Sequence, residues 1–424
     1  MKSKLFLIFA LIFVASTAHG EFRFNLDFYQ RTRYEVLESL FLDANGYSRR
    51  HYVRFKTSLG ARATYGANLF ARLKLTNENR TYIYRTHGSA AYNIDEVVID
   101  NFYIGYQNIR ISPNTKLDIK IGRFNLPASE YGEGFLIAEG TPLDGSRTFY
   151  FNAAKARFRQ NNSSLDIIAV TNTRTDYLPV FNRRANKYLN FGRENALIVY
   201  ARTQHNKRIH AQYYYIYKTE EVTNRLLPLS SRLHTLGFFV RTDFNDMALR
   251  LQAAGQFGNY GSNIRRGFGA YGFADFFNKW IFSKITTGMV YLSGDNPNSQ
   301  SVTGWNPLFS RYPWKSNLIC HLFLDEGGIG YWSNIKMYTI NANINILRNL
   351  NMLLGYSFVY ANELAIGSNF SNGKHRGNVA QCKFNWHINN RINVIFDIEH
   401  MRRGNFYANR RDAFYARLEG VFRI

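Results

Sequence analysis

From Phe22 to its last residue the chain alternates apolar and polar side chains, segment after segment. In Phe22-Arg23-Phe24-Asn25-Leu26-Asp27-Phe28-Tyr29 the even positions are apolar and the odd ones mostly polar. That is the period of a strand with one greasy and one wet face. Val53, Phe55, Leu59 and Ala61 stand against Arg54, Lys56, Ser58 and Arg62; Leu69, Ala71, Leu73 and Leu75 against Arg72, Lys74 and Thr76. Met247, Leu249, Leu251 and Ala253 oppose Arg250, Gln252 and Gln256, and Phe414, Ala416, Leu418 and Phe422 oppose Arg417, Glu419 and Arg423. The spacing adds a second signal. Tight connections at Tyr65-Gly66, His205-Asn206, Phe244–Asp246, Phe277–Lys279 and Arg348-Asn349 alternate with longer ones at Asn77–Asn93, Thr219–Arg232, Gly258–Arg265 and Gly294–Trp332. About eighteen strands with short turns at one end and long loops at the other describe a transmembrane antiparallel β-barrel. Tyr213, Tyr215 and Tyr217, and Phe276, Phe277 and Trp280, cluster at segment ends as interfacial girdles would.

Other architectures fit less well. Mean hydropathy of -0.32 argues against repeated apolar helices of about twenty residues. Two cysteines, Cys320 and Cys382, cannot organise a disulfide scaffold, and no bridge between them is expected. The one apolar run is at the start, where Lys2 and Lys4 precede Leu5–Val14 and Ala18 and Gly20 supply small residues before Glu21. Residues 1–20 therefore read as a secretory signal peptide, and 21–424 as one barrel without linker or plug domain.

The excess charge, 53 Lys and Arg against 30 Asp and Glu, falls on the wet face. Arg23, Arg54, Arg62, Arg72, Lys74, Lys155, Arg157, Arg241, Arg250, Lys383 and Arg417 form a basic ladder there, with Lys120 and Lys284 also on that face. In a barrel of this size the wet face is expected to line an aqueous channel. Cations on a low-dielectric wall raise the local concentration of anions, and Arg offers carboxylates a planar fork. Asp27, Asp118, Asp166, Asp275, Asp397 and Glu399 are expected to pair with some of them. No cofactor, metal or nucleic-acid partner is expected. Gly267–Gly272 matches G-x-G-x-x-G, but it lies inside an alternating strand with no helix after it. The ten His show no metal-ligand spacing, and no nucleophile–His–acid set suggests an enzyme; Ser310 and His321 read as ordinary loop residues.

Short motifs add a family resemblance. Ile121-Gly122-Arg123-Phe124-Asn125, Tyr131-Gly132-Glu133-Gly134 and Ser146-Arg147-Thr148-Phe149 resemble segments of the alginate export family of outer-membrane barrels. So does Gly304-Trp305-Asn306-Pro307-Leu308-Phe309-Ser310-Arg311. The resemblance implies a selective pore for a polyuronate, with loops folded over or into the lumen, and it adds Arg123 and Arg147 to the basic ladder. Alternation from Leu117 would aim Arg123 at lipid, so a bulge or strand end is needed beside it.

The reading is a monomeric barrel of the bacterial outer membrane, surrounded by lipid and inserted by the barrel-assembly machinery. It is expected to pass an acidic polysaccharide or its oligomers as an anion-selective pore. A general porin for small anions or nutrients is the alternative, ahead of an outer-membrane enzyme or a loop-mediated adhesin.

Overall fold

The computed structural model describes residues 21–39, 48–86, 94–127, 130–133, 135–137, 151–181, 192–221, 229–278, 281–310, 315–325 and 333–424. The leader at 1–20, and Arg147, Trp280, Tyr312 and Trp314, lie outside them.

The strands follow one another around a single sheet. They are β1 (Phe22–Glu38), β2 (Arg49–Tyr65), β3 (Leu69–Arg85), β4 (Ile94–Ser112), β5 (Thr115–Phe124) and β6 (Phe151–Gln160). Next come β7 (Ser163–Asn172), β8 (Glu194–Gln204), β9 (Ile209–Glu220), β10 (Ser231–Asp243), β11 (Met247–Tyr260), β12 (Asn263–Phe277) and β13 (Phe282–Leu292). A helix, α1 (Asn317–Asp325), precedes β14 (Ile335–Leu347), β15 (Leu350–Tyr360), β16 (His375–His387), β17 (Ile392–Arg403) and β18 (Ala413–Arg423). Every strand pairs antiparallel with the next, and β18 returns to β1 with Leu418 opposite Tyr34 and Arg417 opposite Glu35. The sheet is thus an 18-stranded closed barrel. Closure leaves no unpaired edge, which is what lets strands cross a membrane.

The two faces are those the alternation predicts. On β10, Leu236 is 62% exposed on the outside while its neighbour Thr235, facing in, is 0% exposed. Leu59, Phe102 and Leu418 likewise stand outward. No described helix is long and apolar enough to cross a membrane, so the strands carry the span.

Two expected loops are shorter than the sequence suggested. β11 and β12 stay paired as far as Tyr260 opposite Asn263, so the Gly258–Arg265 connection is a tight turn at Gly261-Ser262. Glycine there reads as a loop signal, but a Cβ at Gly258 would come within 2.0 Å of the Arg232 carbonyl, so close strand contact requires it. The Asn77–Asn93 loop also contracts, because β3 continues to Arg85 against β2. That stretch carries polar side chains on both faces and offers alternation no contrast.

Candidate functional site: the barrel lumen

The lumen is divided along its axis. At the loop end, residues from three connections fold inward and pack against the wall. Leu126, Tyr131, Phe135, Leu136 and Ile137 come from the β5–β6 connection; Trp305, Leu308 and Phe309, then Leu318 and Ile319 of α1, from the β13–β14 connection; and Phe406 and Tyr407 from the β17–β18 connection. The expectation of an aqueous channel along the whole wet face is corrected for this half, where the described residues form a packed core. The glycine-rich stretch of β12 has its role here. A Cβ on Gly269 would sit 2.9 Å from the Trp305 ring and 3.0 Å from Phe135, so the glycine makes room for the indole. Trp305 and Phe135 stack tilted at 5.2 Å, and Asn306 exchanges hydrogen bonds of 2.7 and 2.8 Å with Gln256 on β11.

Most charge inside this half is paired, and Arg265, buried with no carboxylate partner among the described residues, is held by the Gly304 carbonyl at 3.3 Å. Glu35 accepts from Arg54 Nη1 at 3.0 Å and from the Tyr415 hydroxyl at 2.7 Å, while Arg33 reaches Glu419 at 2.5 Å. Arg417 lies 3.4 Å from Asp397. Beside them Glu399 caps α1, accepting from the Ser316 hydroxyl, from the Asn317 amide at 2.9 Å and from the Leu318 amide at 3.2 Å. Two orphan amides of the first turn are thereby satisfied by a carboxylate of the barrel wall. Lys218 donates to Glu194 at 3.0 Å, to Glu220 at 2.5 Å and to the Leu308 carbonyl at 2.8 Å.

The β5–β6 connection sits where the two halves meet. Asp166 on β7 accepts from Tyr131 at 2.5 Å, from Arg157 Nε at 2.7 Å and from Arg202 Nη2 at 2.8 Å, with Lys155 Nζ 3.2 Å away. Glu130 on the connection pairs with Arg157 and, at 3.3 Å, with Arg202. Further round the wall, on β11, Arg250 meets Glu133 of the same connection at 2.6 and 2.8 Å and also forks onto Asp275 at 2.8 and 3.1 Å. One loop is therefore tied to two stretches of wall, β6–β8 and β11–β12, by two carboxylates.

Arg123 stands one residue before the end of β5, and the pairing of β5 with β4 and β6 runs through it without a bulge. Gly122 holds φ +131°, a conformation other residues rarely adopt, and Arg123, directly opposite the outward Phe102 on β4, is nevertheless buried. Its guanidinium meets Asp176 at 2.5 and 3.0 Å, Asn152 at 2.9 Å and the Ile99 carbonyl at 2.9 Å.

At the turn end most inward side chains are partly exposed, Asp100 being buried. Arg72 pairs with Asp27 at 2.8 Å, Lys74 with Asp100 at 2.8 Å, Arg159 with Asp118 at 2.7 Å and Arg241 with Asp243 at 2.7 Å. Arg23, at the rim, meets Glu21 at 2.7 Å. Arg62, Lys120, Lys284 and Lys383 have no ion pair among the described residues. Arg62 lies over the Phe70 ring at 5.3 Å, and Lys120 over Phe124 at 3.9 Å.

A family model described as Alginate export matches residues 22–420. The chain belongs to the alginate export family. It is an outer-membrane channel of bacteria, with short turns on the periplasmic side and, the β11–β12 turn apart, longer loops outside. No curated protein shows a significant match to it. Its fold is similar to that of the outer membrane protein opdK of Pseudomonas aeruginosa, at 12% identity and TM-score 0.57 over 94% of this chain and 99% of that one. OpdL of the same organism matches at 11% identity and TM-score 0.58, over 95% and 98%. So does OccK2 (OpdF), also from P. aeruginosa and solved in complex with glucuronate, at 11% and 0.58 over 94% and 98%.

Several members of these networks escape a reading by alternation. Arg202 ends a strand whose two faces are both apolar, Leu197, Val199 and Ala201 outward and Ala196, Ile198 and Tyr200 inward. Lys218 follows the tyrosine run 213–215 and Tyr217, which also has no polar face. Glu130, Tyr131 and Glu133 sit in a loop, where periodicity carries no information. Both cysteines are free, Cys320 buried in α1 and Cys382 on β16.

Proposed function

We propose that this family member passes anionic solutes, acidic oligosaccharides of uronate type, through a basic vestibule on the periplasmic side, and that residues 1–20 are a leader removed on export. The observation that carries the reading is the imbalance of charge in that half. Asp27, Asp100, Asp118 and Asp243 are already matched by cations, whereas Arg62, Lys120, Lys284 and Lys383 are not. Unmatched cations on a half-exposed wall attract carboxylates without holding them tightly, as passage requires. Arg62, Arg72, Lys74 and Lys383 of the ladder, with Lys120, meet the solute. Arg54, Arg123, Lys155, Arg157, Arg250 and Arg417 shape the pore by holding loops and wall together, and Arg23 and Arg241 mark its mouth. Glucuronate in the structure of the similarly folded OccK2 supports the uronate class.

The mechanism is transport without covalent chemistry. The test is a reversal potential in planar bilayers, where chloride is favoured over potassium and the preference weakens as salt is raised. Oligouronates added on the periplasmic side reduce the current more than neutral oligosaccharides of equal length. A cation-selective reversal potential overturns the anion reading. Equal block by the neutral sugars leaves a general anion porin.

A further inference from the structure

The outward face of β8–β12 carries a feature that transport does not use. Between β10 and β12 lies a groove of about 570 Å³, floored by Ala253 and Gly255 and walled by Tyr213, Leu236, Phe238 and Phe268. A Cβ placed on Gly255 meets no atom within 4 Å, so nothing in the protein fills the space this glycine leaves open. The outward residues of β11 are apolar from Met247 to Phe257, ten steps at about 3.4 Å along a tilted strand, which matches the roughly 25 Å apolar band of such barrels. The groove therefore opens in the half of the bilayer nearer the loops.

Above it runs a row set by strand register. Tyr217, His234, Phe257 and Arg266 stand directly opposite one another on β9, β10, β11 and β12. His234 is stacked between Tyr217 at 4.7 Å and Phe257 at 4.9 Å, and Tyr215 holds its Nδ1 at 2.7 Å. Arg232 follows one step higher on β10. Arg232 and Arg266 are exposed, and neither has an ion pair among the described residues. They flank the head of the groove from strands two spacings apart, about 10 Å. No Asp or Glu stands on the outward face of β9–β12.

We infer that this face is a binding site for a phosphate-bearing lipid of the outer leaflet, with an acyl chain in the groove over Gly255 and phosphate oxygens between Arg232 and Arg266. Guanidinium forks suit phosphate, and a cation pair at the membrane border with an apolar slot beneath matches both ends of such a lipid. Charge complementarity favours this occupant over a second copy of the chain, whose own face here would bring the same cations together.

The test is native mass spectrometry of the intact barrel in neutral detergent with phosphatidylglycerol, phosphatidylcholine of the same chains, or inorganic phosphate. Wild type keeps a phosphatidylglycerol adduct in preference to phosphatidylcholine, and inorganic phosphate alone gives none. Gly255→Leu fills the slot without changing charge and loses adducts of both lipids. Arg232→Gln with Arg266→Gln lowers the preference for phosphatidylglycerol by roughly tenfold. Heat-dependent migration on gels reports folding of each variant, and if Gly255→Leu does not fold, Ala253→Leu takes its place. Equal retention of the two lipids by wild type overturns the proposal, as does an adduct unaffected by the groove variant. A dimer abolished by Gly255→Leu assigns the groove to a second copy instead, and an adduct with inorganic phosphate alone reduces the site to the two arginines.

Discussion

The loop half and the turn half of the lumen are built from the same alternating strands, yet they use charge in opposite ways. In the loop half Arg54 and Glu35 are 2% and 1% exposed and joined to Arg33, Tyr415 and Glu419. In the turn half Arg72 and Asp27 are 21% and 38% exposed, and cations such as Arg62 and Lys383 form no ion pair among the described residues. The difference comes from the loops. Once Trp305, Phe135 and α1 exclude water, every inward charge must find a partner, because an unpaired buried charge is costly. Where water remains, an unpaired cation is tolerated and its field reaches the solute. The same residue type is thus scaffold in one half and ligand in the other.

The strongest break of this contrast is Glu35→Ala. It removes the carboxylate shared by Arg54, Arg33 and Tyr415 in a dry site and is expected to cost about 3–5 kcal/mol of folding free energy in lipid vesicles. Asp27→Ala, the equivalent change in the turn half, costs about 1 kcal/mol or less because water screens Arg72. Similar losses for the two would mean that the halves do not differ in hydration. Next comes Leu418→Arg, which points to lipid near mid-strand and costs about 2–4 kcal/mol, whereas Ile395→Arg, one strand away and facing the vestibule, folds close to normally. Both variants are measured by the same refolding titration, and equal penalties would refute the face assignment.

A smaller effect is expected where α1 meets the wall. Ser316→Ala with Asn317→Ala removes side-chain hydrogen bonds to Glu399 and Asp397, about 1–3 kcal/mol locally. Single-channel recordings then show larger or more frequent openings while the barrel keeps its melting behaviour. Unchanged conductance would place α1 off the conduction path. The smallest stability change accompanies Arg62→Gln with Lys383→Gln, within about 0.5 kcal/mol. Its readout is selectivity, a reversal potential shifted toward cations, and no shift would remove these two residues from the vestibule's field.

Much of this molecule was legible without coordinates. Alternation gave the two faces of β1, β2, β11, β17 and β18, the strand number and the inward placement of most basic residues, because a strand's period is a local backbone property and the membrane enforces it on every crossing. Of the two devices expected beside Arg123, a bulge or a strand end, the strand end is the one found, since β5 stops at Phe124 with its register unbroken there. Where both faces of a strand are apolar, as before Arg202, or both polar, as toward Arg85, the pattern lost its contrast and the reading failed there.

Periodicity and composition suffice for a barrel of bacterial outer-membrane type with a basic wet face. Which of those cations are held by buried carboxylates and which still face water follows from packing across the lumen. That choice depends on loops whose partners lie far away in sequence, Glu133 with Arg250, Asn306 with Gln256 and Glu399 with the start of α1. Periodicity reports where a side chain points. Whether water meets it there is set by what packs across the lumen, and no local pattern in the chain encodes that distance.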